Sequence, residues 1–229
     1  IVGHSMGEVA AAHVAGALTI EDAMRVVATR SRLLSEIAGQ GAMGLVDLGR
    51  DDILEHLRPF ADRLAIAAQN GPRSTVLSGD PDALDQLLAR LDAADVFCRR
   101  VRVDVASHSP QCDPLLPRLR QELDALSPTA PDIPFHSTPL ATAMGDEPLD
   151  ADYWAGNLRG AVRLDETVRG MIEAGIDTFV EISPHPILLS SLADIAAGAG
   201  TRVRSLGSLR REEPEMERVL DALDRKSVV

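Results

Sequence analysis

The turn Gly3-His4-Ser5-Met6-Gly7 constrains this chain more than any other feature of its sequence. In a Gly-x-Ser-x-Gly pentapeptide the glycines permit a sharp strand-to-helix turn that lifts the serine hydroxyl clear of the backbone. Ile1-Val2 stands where a strand end belongs, and the alanine-rich run from Gly7 to Leu18 reads as the helix that follows. A plainer reading stays open, because Ser5-x-x-Glu8 ahead of such a helix is also an ordinary capping box. With Ile1 in place of a methionine and no full strand before the turn, the chain is expected to be a fragment that lacks its upstream part.

At 229 residues, with 45% hydrophobic and 25% charged residues, there is room for one large domain or two small ones, and disorder is excluded. The formal net charge of −12 argues against nucleic acid as the main partner, since neutralising phosphates needs a basic face. No stretch approaches the roughly 18 apolar residues of a membrane span, and no signal peptide opens the chain. A soluble, cytoplasmic protein with no membrane partner is expected. Cys98 and Cys112 have no Cys or His nearby at metal-ligand spacing, so neither a disulfide framework nor a metal site is implied. Lys226 is the only lysine, and a buried arginine is worth seeking, because a guanidinium forks onto a carboxylate as an ammonium cannot.

Thr19 and Asp22 resemble a capping pair opening a helix over residues 20 to 39. At about 100° per residue its apolar stripe comprises Ile20, Ala23, Met24, Val27, Leu34, Ile37 and Ala38, with Arg30 at the margin, facing the interior or a cleft. From Gly41 the texture changes. Strands are expected at 43–48, 64–69, 74–78 and 96–103, helices at 51–60 and 81–94, and a turn at Asn70-Gly71-Pro72. The order βαββαβ is the ferredoxin-like split pattern, so residues 41–104 read as an inserted small subdomain. Beyond it come a helix near 114–126, a strand at 133–136, a helix at 164–174, a buried strand at 178–182, a helix from Ile187 and a strand at 202–206. This alternation predicts an α/β body with a mostly parallel sheet, formed by residues 1–40 and 105–208. Residues 209–229, with Met216, Val219, Leu220 and Leu223 on one face, read as a surface helix or linker.

A serine nucleophile needs a neighbouring base. Of six histidines, His4, His13, His56 and His136 fit packed or exposed roles. His108, in Val105-Ala106-Ser107-His108, and His185, in Ser183-Pro184-His185-Pro186, both follow predicted strands, where open α/β sheets place their sites.

Four segments together give a specific resemblance: Gly-His-Ser-Met-Gly-Glu at the start, Val-Ala-Ser-His at 105–108, Tyr153-Trp154 through Asn157-Leu158-Arg159, and Glu181-Ile182-Ser183-Pro184-His185-Pro186. Their order and spacing resemble the acyltransferase domain of modular type I polyketide synthases, and more distantly the bacterial malonyl-CoA:acyl carrier protein transacylases. The likeness covers essentially the whole chain. It implies a partial α/β-hydrolase-like body carrying the ferredoxin-like subdomain. It makes Ser5 the nucleophile, His108 the general base and acid, and the Met6 backbone N–H an oxyanion donor. Arg30 matches the arginine that holds the free carboxylate of the extender unit, and Asn157 the position whose main-chain carbonyl orients the imidazole. His4, Val105 and Ser107 would line the substrate pocket, and His185 would help shape the site or pack a loop.

The implied reaction loads an extender unit from acyl-CoA, through an acyl-serine ester, onto the phosphopantetheine thiol of an acyl carrier protein. No bound cofactor or metal is implied, and a ketosynthase is the expected neighbour in the same polypeptide. In this family a Tyr-Ala-Ser-His segment accompanies methylmalonyl-CoA and His-Ala-Phe-His malonyl-CoA, so Ser107 favours methylmalonyl, although Val105 and Met6 depart from that pattern. Two other readings remain. One is an α/β-hydrolase-like thioesterase, which needs a carboxylate behind its histidine, with Asp104 and Asp113 available. The other is a catalytically incomplete scaffold piece.

Overall fold

A computed structural model describes residues 1–145 and 147–227. The chain divides into a unit spanning Ile1–Thr167 and a second beginning at Val168.

The first unit opens with α1 (Gly7–Val14) and α2 (Ile20–Ser35). Thr19 caps α2 as its sequence predicts, accepting the Asp22 N–H at 3.1 Å. The buried face of α2 is turned from the predicted stripe: Ala23, Val26, Thr29, Arg30 and Leu33 are inside, whereas Met24 is 57% exposed. Tertiary demand wins over the apolar tally. Arg30 is carried in with polar partners, Ser5 and Asn157, and Thr29 beside it is buried too.

Next comes a four-stranded antiparallel sheet of β1 (Ala42–Val46), β2 (Leu64–Gly71), β3 (Ser74–Gly79) and β4 (Cys98–Arg100), in the order β2-β3-β1-β4. Helices α3 (Arg50–Leu57) and α4 (Pro81–Asp92) supply the two crossovers of the ferredoxin-like pattern. Leu84, Leu87 and Leu91 of α4 pack on Val46, Ile53, Phe60, Leu64 and Leu77 in a core of their own. Two boundaries differ from expectation. β2 runs on through Gly71, which pairs with Ser74, so the reversal falls at Pro72-Arg73. Only residues 98–100 of the predicted last strand join the ladder. The ends of this region are clasped, because the Gly39 and Gly41 N–H groups both donate to the Asp104 carbonyl, at 2.8 and 3.4 Å.

The chain continues through a 3-10 segment (Pro110–Leu115), α5 (Leu116–Leu123), the short pair β5 (His136–Ser137) and β6 (Thr142–Ala143), α6 (Ala151–Arg159) and α7 (Leu164–Glu173). Parallel pairing here is limited to single bridges, Val2 with His136 and Ala68 with Val162. Val9, Leu33, Leu119, Leu123, Phe135, Trp154 and Leu158 form a second core beneath α1, α2, α5 and α6.

In the second unit β7 (Thr178–Glu181) and β8 (Arg204–Gly207) pair in parallel around α8 (Leu189–Gly198), and α9 (Glu215–Ser227) ends the chain. β7 is not the buried strand its sequence predicts: Phe179 is inside, but Ile182, just beyond it, is 81% exposed. On α9, Met216 and Leu220 are exposed, and the Leu223 side chain lies outside the described residues. Among the described residues no helix is long and apolar enough to cross a membrane.

Candidate active site

The opening turn places Ser5 at φ 53°, the left-handed region that an L-residue enters only under constraint. Gly3 makes the turn possible, since a Cβ there would lie 2.1 Å from the Glu8 Cα. Gly7 is less constrained, as a Cβ on it would meet nothing within 4 Å. The capping-box reading fails here. The N-cap of α1 is Met6, without a side-chain cap bond, Ser5 Oγ points elsewhere, and the Glu8 carboxylate turns inward.

Ser5 Oγ lies 2.7 Å from His108 Nε2. His108 also has a left-handed backbone, at φ 60°, and the end of α6 grips it twice. Its N–H donates to the Leu158 carbonyl at 3.1 Å, and its Nδ1 lies 2.7 Å from the Gly160 carbonyl. That second bond fixes the tautomer, with the proton on Nδ1 and the lone pair on Nε2 facing Ser5. The sequence resemblance points to the Asn157 carbonyl for this task. Gly160 takes it, because the chain leaves the helix there and turns its carbonyl toward the ring, while Asn157 adds only a weaker main-chain contribution. Among the described residues no carboxylate stands behind the imidazole as a thioesterase triad requires: Asp113 pairs with Arg159 at 2.5 Å, and Asp104 is exposed.

Burial lowers the His108 pKa to about 4, and the nearby Arg30 charge pushes the same way, against the Gly160 bond. The imidazole is therefore neutral at neutral pH, as a base must be before it accepts a proton. The C-terminal end of α6 offers partial negative charge to the imidazolium that forms next.

Arg30 reaches this cluster from α2 and is 2% exposed. Its Nη2 donates to Ser5 Oγ at 3.1 Å and its Nη1 to Asn157 Oδ1 at 2.5 Å, while Nε is buried without a hydrogen-bond partner among the described residues. The guanidinium makes no direct ion pair among them, so a structural salt bridge does not account for it. Burial lowers its pKa to about 10, still well above neutrality. The buried guanidinium thus has donor capacity to spare, and its planar fork matches the geometry of a carboxylate.

The small sheet contributes from its β2 edge. Asn70 Oδ1 lies 2.8 Å from His4 Nε2, and the Gln69 and Val162 main chains bond across the Ala68–Val162 bridge, at 2.8 Å for Gln69 N–H to the Val162 carbonyl. That bridge steadies the segment carrying the Gly160 carbonyl. Val105 and Ser107 are half-buried on the loop leading to His108. The Met6 N–H, at the start of α1, makes no main-chain hydrogen bond among the described residues, which leaves it able to face an oxyanion. His185 belongs to the second unit, where its Nδ1 accepts the Arg211 N–H at 3.4 Å.

Asn70 and Gly160 are parts of this cluster that sequence reasoning passes over, and Glu8 enters that reasoning only through the capping-box alternative. Asn70 reads as a turn residue, and a carbonyl has no signature in sequence.

The sequence profile of the acyl transferase domain family matches residues 1–229. Polyketide synthase GfsE of Streptomyces halstedii is 46% identical over 225 residues, covering 97% of this chain and 6% of the relative. The acyltransferase domain from module 8 of the salinomycin polyketide synthase superposes with a TM-score of 0.95 at 40% identity, over 97% of this chain and 52% of that one. A malonyl CoA-acyl carrier protein transacylase from Coxiella burnetii superposes with a TM-score of 0.83 at 27% identity, over 98% of this chain and 70% of that one. The chain thus spans a small part of the curated polyketide synthase it matches, and it belongs to the acyl transferase domain family.

Proposed function

We propose that this chain is the acyl-loading domain of a modular polyketide synthase, moving a methylmalonyl unit from coenzyme A to the phosphopantetheine thiol of an acyl carrier protein. The observation that carries the reading is the convergence on Ser5 Oγ of His108 Nε2 at 2.7 Å and Arg30 Nη2 at 3.1 Å. One atom is thereby served by a base and by a carboxylate-binding cation.

In the first half-reaction Ser5 Oγ attacks the thioester carbonyl while His108 Nε2 takes its proton. The oxyanion faces the Met6 N–H, and its collapse breaks the C–S bond as the His108 proton passes to the departing coenzyme A sulfur. In the second half, His108 removes the proton from the carrier thiol, the sulfur attacks the acyl-serine carbonyl, and the same proton returns to Ser5 Oγ. The sequence is ping-pong. Arg30 holds the carboxylate of the extender unit throughout, which places the thioester carbonyl against Ser5 and disfavours a plain acetyl group. The cleft lined by the subdomain at 41–104 keeps water from the ester, and a ketosynthase in the same polypeptide consumes the loaded unit.

Incubating the protein that carries this chain with methylmalonyl-CoA and measuring intact mass tests the reading. A stable adduct on Ser5, discharged on adding carrier protein, is expected. Release of free acid without an adduct would make the protein a hydrolase, and no reaction at all would make it a scaffold.

A further inference from the structure

Among the described residues Glu8 is the one fully buried carboxylate beside this site, and the reaction above gives it no task. Its Oε1 accepts from the Tyr153 hydroxyl and from the Thr138 N–H at 3.3 Å, and its Oε2 accepts from the Thr138 hydroxyl at 2.8 Å and from Asn157 Nδ2 at 2.9 Å. Tyr153 and Asn157 stand four residues apart on α6 and so reach it from one helix face. The other end of the Asn157 amide, Oδ1, accepts from Arg30 Nη1 at 2.5 Å.

We infer that Glu8 is a positioning residue for the carboxylate-binding arginine, acting through Asn157 and resting on the acyl-transfer reading above. An amide has a donor end and an acceptor end, and arginine can only donate. The group beyond Asn157 therefore either supports or opposes the orientation that turns Oδ1 to Arg30. An acceptor there, Glu8 Oε2, turns Oδ1 toward the guanidinium and pins Nη1. The other donors then keep a fixed direction toward an incoming carboxylate. Without that acceptor Nδ2 loses its partner, and the Arg30 bond alone holds the amide.

The relay depends on a lone pair at Oε2 rather than on charge. Burial raises the Glu8 pKa to about 7, so a proton resides there part of the time near neutrality. Tyr153 accommodates it, because its hydroxyl also lies 2.9 Å from Ser137 Oγ and can turn its own proton there while accepting from Oε1. Oε2 stays an acceptor for Asn157 in both states. Glutamine at this position presents the same acceptor, and methionine, of similar length, presents none.

The test compares Glu8→Gln with Glu8→Met in the full protein, using methylmalonyl-CoA and acetyl-CoA as alternative donors. Glu8→Met is expected to raise KM for the carboxylate-bearing donor at least tenfold, with kcat/KM for acetyl-CoA within about threefold of the parent. Glu8→Gln is expected to keep both values within about threefold. A second readout needs no turnover: Arg30 lowers the His108 pKa, so a displaced guanidinium in Glu8→Met raises the His108 titration midpoint by NMR. Asn157→Ala, which cuts the relay without emptying the Glu8 site, should reproduce both effects if Glu8→Met does not fold. Equal losses for the two donors, a Gln variant as impaired as the Met variant, or an unmoved His108 midpoint would each overturn the inference. A parent protein that no acyl-CoA acylates would sink the transfer reading instead, and the His108 midpoint would still decide the role of Glu8.

Discussion

Ser5 and His108 meet at 2.7 Å, and both hold a left-handed backbone, with φ of 53° and 60°. Each residue is thus kept in a conformation that costs on the order of 1–2 kcal/mol, and the arrangement persists because the surroundings over-determine it. Gly3 packed against Glu8 holds one side, and the Leu158 and Gly160 carbonyls hold the other.

That strain predicts an inversion of the usual order of substitutions. Ser5→Ala and Ser5→Gly should both abolish the acyl-enzyme adduct, yet Ser5→Gly should be the more stable of the two by about 1 kcal/mol, since glycine enters this region without a Cβ penalty. Denaturant unfolding of the pair measures it. A less stable glycine variant would mean that the turn is unstrained.

Arg30→Ala should cost carboxylate-bearing donors at least a hundredfold in kcat/KM, in line with charge-assisted bonds of about 1.5–3 kcal/mol each. Acetyl-CoA should lose far less, and the preference should swing toward it. Steady-state kinetics with the two donors separates these outcomes, and a common loss would show that the guanidinium serves only to hold Ser5.

The acid limb of the reaction should sit unusually low. His108 accepts the Ser5 proton only when neutral, and its pKa is lowered from 6.5 to about 4 by burial and then by Arg30. The free-enzyme profile of kcat/KM should therefore stay level through pH 6 and decline only as pH approaches about 4. In Arg30→Ala the decline should move up toward the ordinary imidazole range. An unaltered limb near pH 6.5 in both proteins would place His108 in a wetter, less charged setting than the one described.

Glu8 should make stability depend on pH in the opposite sense to an ordinary carboxylate. Its folded pKa, about 7, lies above the ordinary 4.5, so the folded state binds the extra proton, and its contribution is complete below 4.5 and lost as pH rises through 7. The separation corresponds to roughly 3 kcal/mol at about 1.4 kcal/mol per unit. Glu8→Gln cannot ionise, so its stability relative to the parent should climb between pH 5 and 8. A constant difference over that range would show that Glu8 titrates normally.

The reactive pair was legible because each member sits in a short, distinctive stretch, Ser5 in its glycine-flanked turn and His108 after Val-Ala-Ser. The ferredoxin-like sheet was legible too, since α4 advertises Leu84, Leu87 and Leu91 at helical spacing between strands that alternate. Arg30 was half legible: helical phase put it at a margin, and only the packing of Thr29 and Arg30 inward put it in the middle of the buried face. The role of Glu8 was not legible, and a capping box stood as one reading of it, because its partners, Thr138, Tyr153 and Asn157, are more than a hundred residues away. Local pattern cannot choose between a carboxylate that caps a helix and one that is swallowed by the core.

The proposed choice of extender unit turns on the residues before His108. Ser107 is half-buried on that loop, and a serine is smaller than a phenylalanine, so on the proposed reading it would leave space for an α-methyl branch. Val105 is likewise shorter than the tyrosine expected with methylmalonyl, and His4 is held by Asn70 at 2.8 Å. One methyl group in an apolar pocket discriminates by about 1–3 kcal/mol, or roughly 10- to 200-fold. With malonyl-, methylmalonyl- and ethylmalonyl-CoA in equal amounts, methylmalonyl should dominate the Ser5 adduct, with the other two as minor species. Ser107→Phe should close the space and move the mixture toward malonyl. Dominant malonyl loading by the unaltered protein, or a Ser107→Phe variant with unchanged proportions, would remove this loop from the choice of extender.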